Sequence, residues 1–116
     1  MKDMKIYDVL AIKESSFEIL MKEEHPIYQG HFPGQPITPG VLTLQMIRDC
    51  VILLLDKQLH YTGIKNCRFV AMVRPGDKLR LNVQTETAGD SVVVKAVLMG
   101  ADSDEDVRVQ LDAEMQ

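Results

Sequence analysis

From Val41 to Leu55 the chain reads VLTLQMIRDCVILLL, with only Thr43, Gln45, Arg48 and Asp49 interrupting the apolar residues. No other stretch restricts the fold as much. A helix that is apolar nearly all round is a buried one, so the remaining chain has to wrap around it. At about 100° per residue, Gln45, Arg48 and Asp49 share one narrow stripe while Thr43 points elsewhere. A polar stripe on a core helix needs partners. The entry to the helix, GHFPGQPITPG, supplies a candidate in His31. Pro33, Pro36 and Pro39 fix their own φ and extend the residue before them, while Gly30, Gly34 and Gly40 allow close backbone approach. Thr38 is a good N-cap, with Pro39 at the first helical position, where a missing N–H costs nothing.

Around this helix the patterning is that of strands. Lys5 to Ile12 mixes apolar and charged residues and reads as an edge strand or a lead-in segment. In Ser16 to Glu24, Phe17, Ile19 and Met21 recur at period two, and His25-Pro26 ends the strand. Asp56 to Thr62 is the polar helix exit, with Gly63 as its stop. Ile64 to Val73 reads as a strand and Pro75-Gly76 as a turn. In Lys78 to Thr87, Leu79, Leu81, Val83 and Thr85 alternate with polar residues, so one face is buried and the other wet. Ala88-Gly89-Asp90 makes a hairpin into Ser91–Gly100, Asp102 to Asp106 is a second loop, and Val107 to Glu114 closes the sheet. Strand, one long helix, then a meander of about four strands is an α+β pattern: an antiparallel sheet curled round one helix. Exposed sheet edges and a polar helix stripe argue for a partner chain.

The chain has 116 residues, which suits one domain with one core over residues 1–116. Its net charge of -4 gives no general attraction to nucleic acid. Cys50 and Cys67 lack metal-ligand spacing and read as reduced packing residues. The N-terminus, MKDMKIYDVL, has no long apolar core and does not look like a signal peptide. Met46 to Leu55 is too short and too interrupted to cross a membrane, which points to a cytoplasmic protein.

HFPGQPITPGVL resembles the active-site signature of the β-hydroxyacyl-acyl carrier protein dehydratases, which have the hotdog fold: roughly H-F-P-x-x-P-x-x-P-G-V-L, two positions, then a carboxylic acid. CRFVAMVRPGDKLRL is similar to the family's later F-x-x-x-V-x-P-G-D-x-L. Together the matches span roughly Ile27 to Leu81. One departure matters: the family's catalytic Glu or Asp falls on Gln45, which cannot ionise. Where the family often carries Gln one turn later, this chain has Asp49, so acid and amide are exchanged along one helix face.

The resemblance implies a hotdog fold, a sheet wrapped round the central helix. Two protomers would pair into one continuous sheet with two shared sites, as a homodimer or a hexamer built from dimers. It also implies dehydration of a 3-hydroxyacyl thioester carried by acyl carrier protein or coenzyme A, as in fatty acid synthesis, with no metal or organic cofactor. His31 suits the base that takes the C2 proton, since imidazole titrates near working pH. The Gly40 and Val41 amides, at a helix N-terminus, suit a thioester oxygen that gains negative charge. Phe32, Gly40 and Val41 fall on the substrate side. Gln45 is placed to orient a hydroxyl, and Asp49, about 6 Å further along the helix surface, either supplies the acid or pairs with Arg48 or another basic group at the subunit interface. Arg68, Arg74, Lys78 and Arg80 either greet an acidic carrier, Arg74 and Lys78 foremost, or form a solvated strand face. Two other functions compete: a hotdog binding or structural subunit that has lost dehydration and works with a competent paralogue, motivated by Gln45, and thioester hydrolysis, from which the HFPG signature points away.

Overall fold

The computed structural model describes residues 5–30 and 38–116. His31 and Phe32, on which two of the sequence expectations fall, lie outside the described residues. The elements run β1 (Tyr7–Lys13), β2 (Ser16–Met21), a short α1 (Ile27–Gly30), α2 (Gly40–Leu55), β3 (Tyr61–Phe69), β4 (Lys78–Ala88), β5 (Ser91–Gly100) and β6 (Val107–Met115). The strands form one antiparallel sheet of six, in the order β1-β2-β4-β5-β6-β3. One long helix lies on it.

Period-two alternation decides which sheet face is dry. Phe17, Ile19 and Met21 of β2, Leu79, Leu81 and Val83 of β4, and Val92, Val94, Ala96 and Leu98 of β5 all turn inward and are buried. Against them pack Met46, Ile47, Cys50 and Val51 of α2. Burying a large aliphatic side chain contributes roughly 1.5–3 kcal/mol, so this layer is the main source of stability. The opposite face of α2 is uncovered: Val41 is 62% exposed and Leu53 54%. The apolar run therefore does not mean burial all round, contrary to the sequence expectation.

Several boundaries differ from expectation for physical reasons. Helix α2 starts one residue later than the Thr38 cap requires, with Pro39 as N-cap at φ -58 and ψ 139 and no side-chain cap bond. Thr38 is engaged elsewhere, its Oγ1 2.8 Å from the buried Tyr28 hydroxyl and its N–H donating to Val73 O at 2.7 Å. The helix ends on Asp56, held left-handed at φ 54 with its N–H on Ile52 O. Gly63 is thus no stop; it sits inside β3, which begins and ends earlier than the expected Ile64–Val73. β2 stops at Met21, and α1 follows where no helix was expected.

The largest correction concerns β3. It does not join β4 in a four-strand meander but pairs with β6 at the far edge, so β6 is interior and does not close the sheet. Residues 70–77 then travel along the end of the sheet. Val70 and Ala71 donate to Arg108 O, Val73 accepts from Thr38, and Gly76 donates to Met21 O. Pro75-Gly76 does form a turn, with Gly76 at φ 83 and Asp77 N–H on Arg74 O at 3.2 Å. The Asp77 carboxylate caps it by accepting from Arg74 N at 2.9 Å. Positive φ at the third turn position is why glycine follows proline here.

Candidate active site

At about 100° per residue, the start of α2 presents two sides. Gly40 and Thr43 line one cavity of about 740 Å³, whose other wall is residues 69–74, with Asp77, Asp106, Arg108 and Val109 beyond. Leu42, Gln45, Met46 and Asp49 line another of about 240 Å³, with Lys5, Ile6, Tyr7 and His25. In one protomer, then, the helix-start position Gly40 and the Gln45–Asp49 pair open onto different cavities. Val41 points away from the core between them.

The first cavity is built around backbone. Leu42 and Thr43 donate to Pro39 O at 3.0 and 3.3 Å, so the Gly40 and Val41 amides precede the first helical bonds and are oriented along the axis. The approach at Gly40 is close: a Cβ there would stand 2.8 Å from Phe69 Cζ, so the ring would have to shift. The Phe69 ring, 54% exposed, thus lies directly over the helix start. Val70 and Met72, each 53% exposed, continue an apolar wall. That wall is fixed from behind by Arg108, whose Nη1 donates to Met72 O at 2.9 Å and Asp77 Oδ2 at 2.7 Å. Its Nε and Nη2 meet both oxygens of Asp106. This bidentate pair holds the Asp106 carboxyl below its usual range and the guanidinium above its own. Beyond the nearby Asp106, nothing local in the sequence marked Arg108 for this wall, since Met72 and Asp77 lie 36 and 31 residues away.

The second cavity carries the side-chain chemistry. Gln45 is exposed and Asp49 half-buried, on the same face one turn apart. The Tyr7 hydroxyl donates to Asp49 Oδ2 at 2.9 Å, and Arg48 Nη2 stands 3.8 Å from Oδ1. Arg48 Nη1 also lies 3.5 Å from His60 Nδ1. His25 faces this cavity, its Nδ1 accepting the Ile27 N–H at 3.2 Å. Sequence reasoning read His25 only as the end of a strand and missed Tyr7, which is 42 residues from its partner.

The basic residues do not gather. Arg74 is exposed at the rim of the larger cavity and Lys78 is exposed at the start of β4. Arg80 is bound to Asp104, and Arg68 lies on β3, separated from β4 by β5 and β6. Both cysteines are free, Cys50 buried and Cys67 half-buried. Among the described residues no cluster of three or more His, Cys, Asp or Glu side chains is set to hold a metal ion, and no helix is long and apolar enough to cross a membrane.

The sequence and the fold both have counterparts among known proteins. The chain is 43% identical over 76 residues to the 3-hydroxyacyl-[acyl-carrier-protein] dehydratase FabZ of Chloroflexus aggregans, a match covering 60% of this chain and 53% of that protein. It thus spans about half the length of that relative. To the FabZ of Latilactobacillus sakei it is 30% identical over 113 residues, covering 89% of this chain and 81% of the other. The solved dehydratase heterocomplex ApeI:P from Xenorhabdus doucetiae superposes with a TM-score of 0.64 at 19% identity, covering 94% of this chain and 92% of that one, a likeness of hotdog fold. Residues 11–103 match the family model described as ApeI-like, ApeI dehydratase. That stretch begins within β1 and takes in the helix start, the Phe69 wall and the capped turn at Asp77, while Tyr7, Asp106 and Arg108 lie outside it; the chain belongs to the ApeI-like dehydratase family.

Proposed function

We propose that this protein is a cytoplasmic 3-hydroxyacyl thioester dehydratase acting on an acyl chain linked to acyl carrier protein. The observation that carries the reading is the match of residues 11–103 to a dehydratase family, a stretch that holds Gly40 beneath the Phe69 ring. In the reaction, His31 takes a proton from C2 and the Gly40 and Val41 amides hold the thioester oxygen as it gains charge. The C3–O bond then breaks, the hydroxyl leaves as water with a proton from the acid side, and a C2=C3 double bond forms. Gln45 orients the departing hydroxyl and Asp49 supplies the proton. Phe32 and the exposed apolar wall take the acyl chain, and Arg74 and Lys78 meet the acidic carrier.

The site is completed by a second chain. The edge strand β3 exposes Ile64 (47%) and Phe69 (54%), and α2 exposes Val41, an apolar edge that pairing would cover. Two copies joined there form a homodimer in which the His31 loop of one faces Gln45 and Asp49 of the other. Gln45 also favours a second reading, that the partner is a different hotdog chain bearing the carboxylate, as a dehydratase of this fold can be built from two chains.

The test is hydration of crotonyl and dehydration of 3-hydroxyacyl thioesters on acyl carrier protein. Wild type is compared with His31→Ala and Gln45→Glu, alongside the mass in solution. Activity that disappears with His31 supports the enzyme. An inactive wild type that Gln45→Glu awakens supports the impaired subunit. A clean monomer with full activity would sink the shared site.

A further inference from the structure

We propose that Tyr7 is a positioning residue that orients the Asp49 carboxylate toward the substrate's 3-hydroxyl, an inference that rests on the dehydratase reading above. Tyr7 is 5% exposed, with its ring in the core and its hydroxyl at the edge of the smaller cavity. That hydroxyl donates to Asp49 Oδ2 at 2.9 Å. This bond holds one oxygen of the carboxyl, while Oδ1, ion-paired with Arg48 Nη2 across 3.8 Å, is beyond hydrogen-bond length of it. Gln45 lines the same cavity one turn earlier, on the same helix face as Asp49.

The arrangement is matched to proton donation. As Asp49 gives its proton to the leaving hydroxyl, negative charge grows on the carboxyl, and a hydrogen bond to a charged acceptor is roughly twice as strong as one to a neutral acceptor. The Tyr7 bond therefore tightens in the transition state and contributes to turnover more than to substrate binding. A purely structural tie between β1 and α2 would contribute equally before and during the reaction.

Tyr7→Phe removes the donor and keeps the ring. In the full-length chain the expected result is a kcat lower by about 10- to 100-fold, the loss of one charge-assisted bond, with KM within about twofold. A kcat and KM both unchanged would overturn the proposal. A second measurement does not depend on turnover: the Asp49 ¹³Cγ resonance, assigned by its loss in Asp49→Asn, followed while 3-hydroxybutyryl-pantetheine amide is added. The signal should move in wild type and stay still in Tyr7→Phe. If wild type turns over no thioester, the dehydratase reading fails. A moving Asp49 signal would then still support the Tyr7–Asp49 orientation, and a motionless one in wild type would refute it.

Discussion

Tyr28→Phe tests the clasp at the base of the helix. The Tyr28 and Thr38 hydroxyls meet at 2.8 Å, and the two residues are only 9% and 8% exposed. Their positions bracket residues 29–37, the stretch that carries His31. Deleting the Tyr28 oxygen removes one neutral hydrogen bond, net about 1 kcal/mol, and leaves the Thr38 hydroxyl without a partner in a place water hardly reaches. The combined cost is about 1–2 kcal/mol. For a domain of this size that corresponds to roughly 4–8 °C in melting temperature, read by calorimetry or circular dichroism. Thr38→Val should cost a similar amount. The double variant should cost clearly less than the sum, because it leaves no orphaned hydroxyl and both singles break the same bond. Additive costs, or a Tyr28→Phe protein that melts with wild type, would refute the clasp.

Two further outcomes follow from the same geometry. Burial, helped by the neighbouring Asp49 charge, pushes the Cys50 thiol from 9.0 up to about 12. The folded chain therefore keeps a proton that the unfolded chain loses, so stability is full below pH 9, falls above it with a slope of up to about 1.4 kcal/mol per pH unit, and loses this contribution by about pH 12. Burial likewise raises the Tyr28 and Tyr61 hydroxyls above their ordinary 10.0, so denaturant titrations of wild type and Cys50→Ala should diverge first between pH 9 and 10. Gly40→Ala drives a methyl into the Phe69 ring, which is exposed enough to swing aside; unfolding free energy should change by less than about 1 kcal/mol, while crotonyl hydration falls at least tenfold. Unimpaired activity would mean that the ring and the helix start do not form the thioester site.

What was legible in the sequence was what local pattern decides. The body of α2, the alternation in β4 and the hairpin into β5, with Gly89 at φ 61, followed from neighbours within a few residues. The β1–β2 hairpin was not legible, because its turn puts Glu14 at φ 55 where glycine or asparagine is usual, and nothing in Glu14-Ser15 announces it. Thr38 was misjudged because a good capping side chain was drawn instead to a buried hydroxyl ten residues earlier. The place of β3 depends on pairing with a strand about forty residues on, and its mostly exposed surface suits an edge. Motif spacing brought out Gly40, Gln45 and Asp49; Tyr7, His25 and Arg108 reach the cavities only through tertiary packing.

The exchange of acid and amide on α2 bears on how the Gln45→Glu experiment is read. Positions four apart on a helix are neighbours, so a glutamate at position 45 sits beside Asp49, in the same small cavity. Like charges so placed oppose each other, and a weak Gln45→Glu protein would then reflect crowded carboxylates as readily as a ruined scaffold. The double variant Gln45→Glu with Asp49→Gln removes that ambiguity, because it keeps one acid and one amide and moves the acid by one turn. It also takes the carboxylate away from the Tyr7 hydroxyl. If the native acid works because Tyr7 orients it at position 49, the double variant no longer responds to Tyr7→Phe, whatever its own rate. If Tyr7 is only a strut between strand and helix, its removal affects both proteins alike. The coupling between Tyr7 and the position of the acid thus distinguishes a relocated active-site carboxylate from a surface residue that happens to be hydrogen-bonded.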